Sequence, residues 1–342
     1  MNAALHQRHR ALGLGVVLVV LTAVLLLLGA SVGSTGLQSL KGLGSDPLAQ
    51  QIVWEIRLPR TAGAWLAGAL LGLAGAVAQG LFRNPLADPY LLGSAAGAAL
   101  GVALALLGLG GAVAAGPVAV GWLRALGLTG AAFVGAVMAV LLTLVLARGV
   151  QHTLRLLLAG VVVGVVVGAI SSLVMLLVPE VMQTLQAFIL GSTAFVDWTA
   201  CVVMAGVLLP CLLVAWACAH ALDALNLGEA TAFSLGLPLK VMRPLLVLVL
   251  ALATGAAVAQ TGLIGFVGLA APHLVRSVCR TPHGWLLLLS SLMGAVLLVA
   301  ADVLARGLLA PQELPVGVLT AVLGGAYLLW LMHRRGAGER QA

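Results

Sequence analysis

Residues 81–93 read LFRNPLADPYLLG, and the fold follows from what they interrupt. On either side the chain is mostly Ala, Leu, Val and Gly for about twenty residues, the length of helix that crosses a ~30 Å hydrocarbon core. The stretch itself places Arg83, Asn84, Pro85, Asp88 and Pro89 close together. Each proline disfavours helix in the residue before it, so the chain has to break and reverse. Asp88 stands where it can cap the next helix, with Pro89 pre-set for that helix's first turn. The repeating unit is therefore a pair of apolar helices joined by a short polar turn.

The same alternation fills the chain. Ten apolar runs, at about 11–32, 61–82, 90–108, 120–147, 154–177, 195–218, 243–260, 262–279, 284–304 and 314–333, are separated by polar or Pro/Gly breaks. Only TGL separates the seventh from the eighth. The composition is 62% hydrophobic and 8% charged, whereas soluble domains carry about 25% charged residues. Together with a mean hydropathy of +1.17, this predicts an all-α polytopic membrane protein with about ten transmembrane helices. Barrel strands would be about ten residues long and alternate in polarity, and that pattern does not occur. Arg8 and Arg10 precede an apolar run longer than the ~7–15-residue core of a secretory signal, so the first run is expected to remain as a span.

An even number of spans puts both termini on one side. Of the 17 Lys and Arg, five (Lys41, Arg57, Arg60, Arg124 and Arg306) then fall on the far side and twelve on the side of the termini. Short loops rich in Lys and Arg face the cytoplasm, so both termini are expected there. The net charge of +7 sets orientation and is no sign of nucleic-acid binding. Cys201, Cys211, Cys218 and Cys279 lie in or beside apolar segments without metal-ligand spacing and read as small buried side chains.

Gly160, Gly164 and Gly168, like Gly93, Gly97 and Gly101, recur every fourth residue, which lets helix backbones approach closely in lipid. A pathway-lining role for the Gly160 face is the other reading. AVAQ occurs at 76–79 and 257–260, each closing an apolar run. PLADPYLLG (85–93) then has a counterpart in GLAAPHLVR (268–276). The shared order suggests two weakly related halves, as many transporters have.

The largest loop on the side of the termini, about 219–243, contains LGEATAFSLGLPLK. Glu229–Leu235 reads as a short helix with a carboxylate in its first turn, ended by Gly236 and kept from continuing by Pro238. Ala230 and Phe233 share one face, which fits either a partner's groove or an interfacial helix. On the far side, Arg57 and Arg60 stand at the mouth of the second span, and Arg306 one turn after Asp302. They could snorkel to headgroups, pair locally as Asp302–Arg306, or form a basic rim for an acidic protein or ligand.

Lys41 and Lys240 are the only lysines, and neither stands in a Gly-Lys-Ser/Thr context, so no ATP-binding P-loop is present. Ionisable residues gather at span ends, which argues against the proton or ion relay of a secondary transporter. All seven histidines fall at or near the side of the termini, leaving neither a midplane metal site nor a catalytic cluster. The expectation is a conduit, not an enzyme, with no metal or cofactor of its own.

These islands resemble the permease subunits of ABC importers for iron-siderophores, haem and vitamin B12, the FecCD-type permeases. The resemblance rests on RLPR (57–60), GLFRNPLADPYLLG (80–93), RLLLAG (155–160), GEATAFSLGLPL (228–239), GLIGFVGLAAPHLVR (262–276) and ELPVGVLTAVLG (313–324), in one order along the chain. It implies a single permease domain over 1–342 with the type II importer fold, in a bacterial inner membrane. It further implies a homodimer around a central path, two ATPase subunits that bring ATP and Mg, and a periplasmic binding protein. Gly228, Glu229, Ala230, Phe233 and Gly236 match the family's coupling helix. Arg57, Arg60 and Arg306 match its docking arginines. Arg83, Asn84 and Pro85 match a cytoplasmic turn near the ATPase, and Thr153 with Leu154 the cytoplasmic gate. At that gate the vitamin B12 importer has two small hydroxyl residues. Leu154 replaces one of them, which mildly disfavours vitamin B12 against haem or a ferric siderophore. An ion-coupled secondary transporter is the alternative function.

Overall fold

The structure, a computed structural model, describes residues 2–33, 36–37, 47–109, 119–147 and 153–339; Lys41, Arg148, His152 and Arg340 lie outside the described residues. In chain order the helices are α1 (Asn2–Ser31), α2 (Pro47–Ile52), α3 (Leu58–Phe82), α4 (Ser94–Leu109), α5 (Ala119–Leu146), α6 (Thr153–Leu177), α7 (Pro179–Leu190), α8 (Trp198–Ala217), α9 (Ala219–Asn226), α10 (Glu229–Ser234), α11 (Leu239–Thr261), α12 (Val267–Val278), α13 (His283–Gly307) and α14 (Val316–Glu339). A π-helical turn at Val53–Arg57 leads into α3, and a 3₁₀ turn at Pro89–Leu92 precedes α4. Val32–Gly33 and Gly36–Leu37 form a two-residue antiparallel ladder.

Among the described residues seven helices are long and apolar enough to cross a membrane, and Ser94–Gly108, Val181–Leu190 and Val316–Trp330 are shorter apolar helices. Each of the ten expected spans contains a helix, but the eighth is corrected in kind. Within 262–279 only the twelve residues of α12 are helical, about 18 Å at 1.5 Å per residue. Gly262 (φ 68) and Phe266 (φ 67) are left-handed, so the helical ladder cannot run through 262–266. Non-helical backbone at membrane depth survives only where protein covers it. The cover is α7, a helix the sequence reading left inside a loop. Leu263 N donates to Phe188 O (3.0 Å), Ser192 N to Thr261 O (2.8 Å), and Gly317 N to Gly191 O (3.3 Å).

Small residues bring the core together. α3 lies at the centre against α8, α11, α12 and α13, and nearly all of it is buried. Leu gains little by leaving lipid for a neighbouring Leu, so close backbone approach has to supply the attraction. A Cβ on Gly72 would overlap Ser290 O of α13, and one on Gly97 would overlap Gly135 O of α5. Gly160 packs in the same way against Leu91, whereas Gly168, on the same helix, has nothing within 4 Å. The two repeat-related segments also meet. Gln79 Nε2 donates to Leu269 O (3.1 Å), Tyr90 Oη to Ile264 O (3.1 Å), and Arg276 donates to Gln79 Oε1.

Candidate functional site

The turn at 83–88 is built by its own residues. Arg83 adopts φ 51, ψ 35 and ends α3 in a left-handed cap. Asn84 N donates to Gln79 O (3.1 Å), Ala87 N to Asn84 O (3.0 Å), and Leu86 N to Asn84 Oδ1 (2.9 Å), so the Asn side chain mimics a backbone turn. Asp88 Oδ1 accepts from Tyr90 N (2.7 Å), capping the 3₁₀ turn rather than α4 itself. Burial pushes the Asp88 carboxyl above its usual range, and the Tyr90 hydrogen bond partly offsets this.

Beside that turn lies α10. Gly228 (φ 112) and Gly236 (φ 71) flank it in conformations that side chains resist, so this helix is one residue shorter than expected. Ala232 is its buried side, while Ala230 is exposed and Phe233 is 76% exposed. Leu227 and Leu235 are exposed on either side. Glu229 turns back: its Oε1 lies 2.8 Å from Arg243 Nη2 and 3.8 Å from Arg83 Nη2. The turn and the short helix, far apart in sequence, are thus joined through one carboxylate, and an apolar knob is left facing outward. Arg243 was missed as a site residue. Its only signal was a lone arginine in the first turn of the span that follows the loop.

The gate positions lie apart from this cluster. Thr153 opens α6, its side chain outside the described residues, and Leu154 beside it is 69% exposed. The arginines of the expected external basic rim are drawn into the chain. Arg57, Arg60 and Arg306 are all buried, drawn inward by carboxylates and carbonyls. Arg60 Nε lies 3.2 Å from Asp302 Oδ1 and its Nη1 2.7 Å from Glu313 Oε2. Arg306 pairs with Asp302 Oδ2 and donates to Gly29 O (3.0 Å) and Thr61 Oγ1 (3.2 Å). Thr193 Oγ1 donates to Asp302 Oδ1 (2.5 Å), and Arg57 Nη1 to Ala30 O (3.4 Å). The local Asp302–Arg306 pair is therefore realised inside a network that ties α1, α3, α13 and the 192–194 loop together.

At the other end Asp223 of α9 accepts from His283 N (3.0 Å) and faces His283 Nδ1 at 2.7 Å. Burial acts to raise the Asp223 pKa, but the His283 hydrogen bonds and the charges of His283 and His220 outweigh it and hold the carboxyl below its usual range. Among the described residues no cluster of His, Cys, Asp or Glu is arranged to hold a metal ion.

Comparison with known proteins agrees with this layout. The FecCD transport family matches residues 16–334. The chain is 42% identical over 284 residues to the vitamin B12 import system permease protein BtuC of Salmonella typhi, covering 82% of this chain and 83% of that one. It is 37% identical over 324 residues to the hemin transport system permease protein HmuU of Yersinia pestis, covering 93% and 94%. A solved ABC transporter of metal-chelate type, in an inward-facing conformation, superposes with a TM-score of 0.79 at 29% identity, covering 95% of this chain and 98% of that one. PsaBC from Streptococcus pneumoniae shares the fold, with a TM-score of 0.58 at 18% identity over 84% and 92%.

Proposed function

The chain belongs to the FecCD transport family, and we infer from that membership and from the exposed α10 knob that it is the membrane-spanning permease of an ATP-driven importer of a bulky metal chelate. Two copies enclose the path, two ATPase subunits grip the α10 end, and a substrate-binding protein delivers cargo at the Glu313 end. The observation that carries the coupling role is the geometry of α10. Glu229 fastens the helix to Arg243 and Arg83, while Phe233 stands in solvent with no internal work to do. A helix held rigidly by one side and apolar on the other can pass a partner's movement to α11 and to the 83–88 turn. Coupling of this kind requires the partner to contact the two states of the permease differently.

The named cargoes of the two relatives, vitamin B12 and hemin, are both macrocyclic metal chelates, and this sets the order of substrates to try: haem, vitamin B12, then a ferric siderophore. A binding protein at the far end meets Glu313 before it meets Arg60 or Arg306, whose charges already face Asp302. Uptake in proteoliposomes containing the permease, its ATPase and its binding protein tests the whole reading. Haem accumulation that needs ATP and all three components supports it, and Phe233→Asp should abolish that uptake in a chain that still folds. Undiminished uptake by Phe233→Asp overturns the coupling role. Uptake that persists without ATP and collapses with an ionophore would favour an ion-coupled transporter.

A further inference from the structure

The α10 end of the bundle holds a second feature besides the exposed knob. The N-terminal turns of α1, Pro85 of the 83–88 turn, α9 and the α12–α13 connection border an open cavity of about 970 Å³, at the upper end of the ~300–1,000 Å³ typical of ligand sites. Its lining includes Arg10, Arg276 and Arg280, with His273 and His283, against the single carboxylate of Asp223. That carboxylate is committed to His283 through two hydrogen bonds, so it does not match the guanidinium groups. Arg10 and Arg280 are exposed and form no ion pair among the described residues. The guanidinium groups of Arg10 and Arg280, with that of Arg276, which also donates to Gln79 Oε1, beside them, call for an anion with several acceptor oxygens.

What lies next to the cavity decides which anion. Asp223 and Pro282 also border a second cavity of about 480 Å³ lined by Trp216, Trp285 and Leu288. Trp at the ends of spanning helices marks the membrane–water interface, and Trp216 is exposed at the end of α8. Along α1, on the same side of the helix as Arg10, Val17, Leu21, Val24 and Leu28 are exposed, an apolar stripe suited to acyl chains. The basic cavity, the aromatic cavity that shares Asp223 and Pro282 with it and the apolar stripe leading from Arg10 would suit the phosphate, glycerol backbone and tails of a phospholipid. A soluble phosphate or nucleotide would use only the first of the three.

We propose that this cavity binds the headgroup of an anionic phospholipid of the phosphatidylglycerol class, with its phosphodiester among Arg10, Arg276 and Arg280. Basic recesses between spanning helices on the cytoplasmic side suit such headgroups. The proposal rests on the membrane-spanning reading alone, so it can fail while the importer reading stands, and the reverse.

Native mass spectrometry of the full chain, titrated with dioleoyl-phosphatidylglycerol or dioleoyl-phosphatidylcholine, tests it. The anionic lipid should bind more tightly, and Arg10→Gln with Arg280→Gln together should weaken it by about fivefold for each arginine removed without changing phosphatidylcholine binding. Each single variant should give about half of that loss on a logarithmic scale, so the comparison survives if the double variant folds poorly. Equal affinity for the two lipids, or unchanged binding in the variants, overturns the proposal. Displacement of the lipid by millimolar inorganic phosphate would make the cavity a free-anion site, and stoichiometric expulsion by the assembled ATPase would make it part of that interface. Either result also overturns it.

Discussion

Removing the carboxylate of Asp302 should be among the most damaging single changes in this chain. Asp302 is 0% exposed, and both of its oxygens are used: Oδ1 faces Arg60 Nε and Thr193 Oγ1, and Oδ2 faces Arg306 Nη2. In Asp302→Ala the buried Arg306 keeps only carbonyl and hydroxyl partners, while Arg60 retains Glu313. Breaking a buried pair from one side leaves an uncompensated charge and costs about 3–5 kcal/mol. Glu313 is 28% exposed, so water takes over much of its role and Glu313→Gln should cost no more than about 1 kcal/mol. Replacing Asp302 and its two arginines by apolar residues of similar size, as Asp302→Leu with Arg60→Met and Arg306→Met, should return most of the loss, because none of the three buried charges then remains and Glu313 is left open to water. Equilibrium unfolding of the purified chain in one detergent reads all three. An Asp302→Ala variant within about 1 kcal/mol of the parent, level with Glu313→Gln, would refute the reasoning. It would mean that water reaches the arginines, and the open basic rim would be the better description.

Three further outcomes follow from particular contacts. Gly72→Ala drives a Cβ into the Ser290 backbone and should destabilise by about 1–3 kcal/mol, whereas Gly206→Ala, with nothing within 4 Å, should be neutral or gain up to about 1 kcal/mol from helix propensity; melting curves of the two distinguish seam from open glycines. The Asp223 carboxyl is held below its ordinary 3.8, so it contributes stability that is present above pH 3.8 and lost as pH falls through the lower folded value; Asp223→Asn should be less stable at neutral pH and show a flatter melting profile on the acid side. Glu229→Gln and Arg243→Ala should be non-additive in ATP-driven uptake, because each breaks the same link. Additive losses in the double variant would show that Arg243 acts without Glu229.

Much of this was legible in the sequence because a membrane simplifies the code. A run of twenty apolar residues leaves little choice but helix, and the polar islands mark the ends. What the sequence could state for a charged residue was its height along the helix axis, not the direction it faces. Arg306 shows the difference. Its height placed it at the outer mouth, where a rim, a headgroup contact and an i,i+4 pair were all open. The choice was made by Arg60 and Thr193, which reach Asp302 from 242 and 109 residues away. Nothing local to Arg306 encodes their arrival. The shortened eighth span has a similar cause. TGL reads as a tight turn between two full helices, yet the left-handed Gly262 and Phe266 need a neighbour to cover their backbone, and that neighbour is α7. The helical propensity of PEVMQTLQAFIL was there to be seen, but its proximity to Thr261 and Leu263 was not.

The surface proposed for coupling was legible for a different reason: its chemistry is local. Gly228 and Gly236 bracket seven residues, and a phenylalanine in a short loop between spans is conspicuous without any tertiary knowledge. Only its fastening was hidden. Glu229 could have been a helix-dipole residue facing water; in the fold it is the hub between Arg83 and Arg243. The same residue that favours the start of α10 therefore also sets where α10 sits. If α10 is the coupling helix proposed here, it needs both, since a helix that formed but was not anchored would yield to its partner and move nothing behind it.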